Sequence, residues 1–179
     1  MSAISKTKRL VFAAVCAALC VVLPIAFHVI PKAGSVLLPM HLPVLLCGLA
    51  CGPVYGLLCG ILGPVLSSVL TGMPPAAMLP AMICELAVYG LVSGLLLRLV
   101  RTGKPVLNLY VSLVGAMLAG RLCYGVLNAL IFKAGEYSLA VWMTSAFVTG
   151  LPGILVQLVV VPVLVLALQK AKLLAPTAA

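Results

Sequence analysis

Two ionisable side chains, Glu85 and Arg121, stand inside otherwise apolar segments of the chain. A charge at membrane depth is costly, and such residues mark a ligand or ion path, or pair with one another. Glu85 comes eight residues after Ala77, where its apolar segment opens, which is about 12 Å along a helix at ~1.5 Å per residue. Arg121 lies 11 residues before Phe132, where its segment closes. The two depths match, so the carboxylate and the guanidinium could meet. Tyr89 is one helical turn beyond Glu85, and Tyr124 and Asn128 share a face with Arg121 at spacings three and seven. Gln157 falls on the same interior side, further down the last segment. This set suits reversible binding: a guanidinium for a ligand carboxylate, and a carboxylate, two phenols and an amide for polar edges. Loop groups could cap the cavity, namely His28, Lys32, Ser35, His41, Thr71 and Met73. The plainer alternative is a structural Glu85–Arg121 pair that only ties helices together. In that view His28 and His41 are interfacial residues, and Tyr110, Tyr137 and Trp142 are interfacial anchors.

Bond-making chemistry is not written here. The chain has no glycine-rich phosphate loop, no His-Glu-x-x-His, no paired acids, and no Ser or Cys beside a base. The expectation is a non-enzyme with no cofactor or metal of its own. Cys16/Cys20 and Cys47/Cys51 stand four apart, as metal pairs do, but nothing nearby completes a tetrahedral set. Small buried hydrophobes is the better reading of the seven cysteines.

The elements that must position these residues follow from composition. Of 179 residues, 65% are hydrophobic and 7% charged, which describes a single-domain, polytopic, all-helical membrane protein. Basic residues precede the first apolar run like a signal peptide, but an uncleaved first helix is expected, because further membrane segments follow. Helix one spans about Lys8 to Phe27, and a linker runs from His28 to Leu38. Leu38 to Pro75 holds helices two and three, hinged at Cys51-Gly52-Pro53. Gly48, Gly52, Gly56 and Gly60 recur there at spacing four, which lets backbones approach. The spacing predicts a tight block of helices one to three, polar only at its outer end: His41, Ser67, Ser68 and Thr71. Helix four spans about Ala77 to Leu99, and helix five about Val106 to Phe132. Helix six lies within Leu139 to Gln169, and a break over Thr149 to Gly153 allows a start as late as Leu151.

Six crossings put both termini on one side. That side then holds Lys6, Lys8, Arg9, Arg98, Arg101, Lys104, Lys170 and Lys172, against Lys32 and Lys133 opposite. The positive-inside rule places both termini in the cytoplasm. Topology therefore accounts for the net charge of +9 without nucleic acid.

Helix one also carries two Ala-x-x-x-Ala pairs, Ala13/Ala17 and Ala14/Ala18, either ordinary packing or a docking surface for a partner's helix. Taken with six helices in under 200 residues, and with the runs LPMHLPVLLCGLACGPVYG and SVLTGMPP, the chain resembles the substrate-binding S components of energy-coupling factor (ECF) vitamin transporters. The resemblance covers nearly the whole length. It implies a vitamin or related micronutrient bound in the outer half, between helices four to six and the outer loops. It implies docking through Ala13, Ala14, Ala17 and Ala18 onto a transmembrane coupling protein that carries two ATP-binding subunits. ATP would be used by those partners, and the chain would topple in a prokaryotic plasma membrane to release its ligand inside. By position only, Glu85, Tyr89, Arg121, Tyr124 and Asn128 become ligand candidates, with His41 and Lys32 from the loops. Arg121 favours an anionic vitamin such as pantothenate, while a pyrimidine or pyridoxine-type ligand on Glu85 and Tyr89 stays open. The rival readings are a self-sufficient small transporter or channel, and a ligand-free membrane scaffold.

Overall fold

The computed structural model describes residues 5–27, 36–132 and 138–174. An apolar chain in lipid must satisfy its own backbone, and helix is the open-chain solution. The described elements are all helical: α1 (Lys6–Phe27), α2 (His41–Cys51), α3 (Pro53–Thr71), α4 (Leu79–Leu99) and α5 (Pro105–Leu127), then α6 (Leu139–Met143) and α7 (Leu151–Lys170). A π-helical turn, Asn128–Phe132, extends α5, and another, Thr144–Thr149, joins α6 to α7. With acids so scarce, proline marks the helix starts. Pro53, Pro80, Pro105 and Pro152 each occupy the first turn of α3, α4, α5 and α7, where the missing N–H costs nothing. The expected hinge is present: Gly52 has φ +101, a conformation costly for any residue with a Cβ.

Five helices are long and apolar enough to cross a bilayer: Lys6–Phe27, Pro53–Thr71, Leu79–Leu99, Pro105–Ile131 and Leu151–Lys170. Their outer faces carry exposed side chains such as Leu10, Val69 and Leu130, as lipid contact requires. The second helix differs from the expected full span. α2 has 11 residues, so it rises only about 16 Å in a hydrocarbon layer of roughly 30 Å. It packs on α1, α3, α4 and α7, and nearly all its residues are buried.

The expected block of α1, α2 and α3 forms, and α4 joins it. The closest backbone approaches join α2 and α3 to α4, not to α1. A Cβ on Gly56 would lie 2.7 Å from the Gly48 Cα and from the Gly90 carbonyl carbon. One on Gly94 would lie 2.6 Å from the Gly48 oxygen and 2.5 Å from the Pro53 nitrogen. Helix α1 instead sits on α2 and α3 through thiols. Cys16, Cys20, Cys47, Cys51 and Cys59 are all buried, and Cys47 reaches Cys16, Cys51 and Cys59. Bases gather at one end of the bundle. There the Cys51 thiol donates to the Arg9 carbonyl at 3.6 Å, and the Arg98 guanidinium lies over Gly52. Helix α7 begins at the opposite end, where a Cβ on Gly153 would lie 2.7 Å from the Val36 oxygen.

Candidate functional site

Because α2 is short, its first residue lies inside the bundle rather than at a surface. His41, a ligand candidate in one reading and an interfacial residue in the plainer one, is 1% exposed, which removes the interfacial reading. Its Nε2 lies 3.5 Å from Glu85 Oε1, and the same oxygen is 3.2 Å from Arg121 Nη1. Glu85 is 3% exposed and Arg121 6%. The pair inferred from matched depths is therefore present, with an imidazole added to it. Tyr89 is fully buried, and its ring meets the His41 ring edge-on at 5.0 Å.

Glycine sets the distance between α4 and α5. The Tyr89 ring occupies the space that a Cβ on Gly120 would fill, and that Cβ would also lie 3.2 Å from the Glu85 carbonyl oxygen. The residue next to Gly120 is Arg121, so this close approach is what brings the guanidinium to the carboxylate. A second glycine admits Trp142. Its indole N–H donates to the Arg121 carbonyl at 3.1 Å, lying where a Cβ on Gly125 would come 2.6 Å from Trp142 Cδ1. Trp142, expected as an interfacial anchor, thus ties α6 to the Arg121 backbone.

A cavity of about 270 Å³ opens onto these groups, and His41, Glu85, Arg121 and Tyr124 form part of its wall. The rest is Pro24 of α1, the strip Leu38–Pro39–Met40, Met73–Pro74–Pro75, Met78 just before α4 and Met82 within it, and Ser145 and Thr149 of the second π-helical turn. Such turns recur at functional sites. Leu38 has φ +51, an uncommon backbone state for a residue with a branched side chain, and it stands at the cavity wall. Ser145 and Thr149 were not expected: they precede the Gly150 break, in a stretch with no period to flag them.

Two of the expected ligand residues do not reach the wall. Tyr89 lies behind His41, and Asn128 donates to the Tyr124 carbonyl at 2.9 Å, where α5 passes into its π-helical turn. Thr71 bonds back to the Ser67 carbonyl at 2.7 Å. Lys32, His28 and Ser35 lie outside the described residues. Gln157 is fully buried but not part of the cavity wall. The four alanines divide: Ala14 and Ala18 are exposed, whereas Ala13 and Ala17 are half-buried against the core.

The hydrogen-bond balance of the site is unusual. Among the described residues, Arg121 Nε and Nη2, both His41 ring nitrogens and Glu85 Oε1 are buried without a hydrogen-bond partner, and the buried Tyr89 hydroxyl lies beside the Arg121 guanidinium. Buried polar groups are rarely left so. One acid thus stands among several buried donors, an arrangement that can hold an acceptor-bearing molecule.

Comparison with known proteins agrees with that. The sequence model described as "ECF transporter, substrate-specific component" matches residues 8–165, nearly the full chain. The chain belongs to this family of S components. Neither a curated protein nor a solved structure matches it. As an S component the chain is a multi-pass membrane protein and a transport-binding subunit, and its family works with a substrate and an ECF module of coupling and ATPase subunits.

Proposed function

We propose that this S component captures a vitamin or related micronutrient in the cavity over Glu85, Arg121 and His41, and hands it to an ATP-driven ECF module. The observation that carries the reading is the buried His41–Glu85–Arg121 cluster in the wall of a 270 Å³ cavity. His41, Glu85, Arg121 and Tyr124 bind. Tyr89 and Asn128 support them from behind, and Lys32 remains a capping candidate. ATP is used by the partner subunits, and the chain itself needs no cofactor.

Counting the short α2 as a crossing gives six, with both termini in the cytoplasm of a prokaryotic cell. Two facts support this: α1 begins at the basic end of the bundle, and α7 runs towards that end from the cavity. Docking to the coupling protein falls chiefly to Ala14 and Ala18, the exposed pair. The Ala13/Ala17 pair is engaged within the bundle.

Pantothenate is the weaker choice of ligand. Arg121 already shares its charge with Glu85 at 3.2 Å, so an anion would have to compete with a fixed carboxylate. The test is native mass spectrometry of the freshly extracted protein, combined with ligand binding in the absence of ATP. Flux through liposomes holding this chain alone would favour the self-sufficient transporter. A protein that retains and binds nothing would favour the scaffold.

A further inference from the structure

We infer that the cavity takes a small, flat, nitrogen-heteroaromatic ligand of zero net charge, rich in hydrogen-bond acceptors, and discriminates against monoanions of equal size. The inference rests on the binding-subunit reading above, and three independent features of the site lead to it.

The first is charge. Glu85 and Arg121 stand 3.2 Å apart and cancel, so the buried ion pair sums to zero. A monoanion would leave it at minus one in a medium that solvates charge poorly. It would also have to draw Arg121 away from Glu85, leaving that carboxylate a single imidazole contact. A monocation would leave the site at plus one beside the Arg121 guanidinium, which repels it. Neutral and zwitterionic molecules keep the balance.

The second is donor count. Five of the described wall side chains, Arg121, His41, Tyr124, Ser145 and Thr149, can donate a hydrogen bond, against one carboxylate, Glu85. Among the described residues the wall's hydroxyls are those of Tyr124, Ser145 and Thr149. A matching ligand therefore presents carbonyl oxygens, hydroxyls or ring nitrogens along one edge.

The third is size and lining. At a water's share of roughly 30 Å³, about 270 Å³ holds about nine waters, or an organic molecule of roughly a dozen heavy atoms. Met40, Met73, Met78 and Met82 supply four thioethers. Sulfur packs favourably on aromatic rings, and the flexible methionine chain adapts to a flat outline. An in-plane acceptor edge with apolar faces is what a nitrogen heterocycle offers.

The test uses the full chain in detergent, with melting shifts and calorimetric titration on three charge pairs: nicotinamide and nicotinate, pyridoxine and 4-pyridoxate, panthenol and pantothenate. The expected result is that the neutral heteroaromatic member binds at least tenfold tighter than its anion, and tighter than panthenol. Glu85→Gln leaves the site at plus one and should reverse the order within each pair. The wild-type comparison stands by itself if that variant does not fold. An anion binding as tightly as its neutral counterpart in the wild type overturns the charge argument, and panthenol outranking both rings overturns the aromatic one; in either case the binding-subunit reading survives. If no probe binds but mass spectrometry retains a native ligand, that ligand's charge and ring content decide directly. If no probe binds and nothing is retained, the binding-subunit reading falls as well.

Discussion

Gly120→Ala tests how the site is built without replacing any side chain of the cavity wall. The added methyl would enter the Tyr89 ring and press on the Glu85 carbonyl oxygen at 3.2 Å. Tyr89 is fully buried and lies edge-on to His41, so the ring has nowhere to retreat, and α4 and α5 must part. Overpacking of this kind costs about 1–3 kcal/mol. Parting the helices by about 1 Å would lengthen the Glu85–Arg121 contact from 3.2 Å to roughly 4.2 Å. At an effective dielectric of about 20, that weakens the attraction by about 1 kcal/mol. The sum, about 2–4 kcal/mol, should appear as a lower melting temperature in detergent. A share of about 1–2 kcal/mol in the site itself means roughly five- to thirty-fold weaker ligand binding. Gly115→Ala is the control on the same helix, since its methyl would meet only Leu96 Cδ1, the tip of a flexible side chain, at 2.5 Å. If Gly120→Ala binds and melts like Gly115→Ala, helix spacing at Tyr89 does not set the ion pair, and the reasoning fails.

The other predictions address single contacts. Arg121→Ala should weaken ligand binding by more than about 2 kcal/mol, because it strands a buried carboxylate; unchanged affinity in calorimetry removes Arg121 from the site. Trp142→Phe keeps an aromatic ring but loses both the N–H to the Arg121 carbonyl and part of the indole packed on Gly125, and should cost at least about 1 kcal/mol in chemical denaturation; an unchanged midpoint would refute the tie. Ala14→Trp should abolish uptake that depends on the coupling module while ligand affinity stays intact, whereas Ala17→Trp should also lower the melting temperature, since Ala17 packs on the core. Equal behaviour of the two tryptophan variants in both assays would refute the division of the alanine face.

How much of this was legible depended on whether a local rule carried the information. Charge at depth is such a rule, so Glu85 and Arg121 could be paired from position alone. Proline and φ-positive glycine are local too, and the Gly52 hinge followed from them. The glycine block was legible in kind but not in partner. The spacing rule was applied to Gly48 through Gly60, while Gly90 and Gly94 of α4 carry the same spacing and proved to be the surfaces those glycines meet. Tyr89 showed the limit of a shared face: one turn from Glu85, it turns under His41 rather than into the cavity. Ser145 and Thr149 stand in a π-helical turn, whose wider period no 3.6-residue pattern reports.

The length of α2 is the deeper reason the site could not be read in full. A helix facing lipid must span the hydrocarbon, because its flanking backbone has no other hydrogen-bond partner. A helix enclosed by four others is released from that requirement, since protein surrounds its ends. The sequence Leu38 to Cys51 is equally apolar in either case, so composition cannot tell an enclosed half-length helix from a full crossing. Yet that difference moves His41 from a membrane surface to the side of Glu85. It also leaves the space beyond the first turn of α2 to be lined by Leu38, Pro39 and Met40 instead of filled by another helical turn. The cavity and its imidazole therefore share one cause: a central helix that stops about half a membrane short.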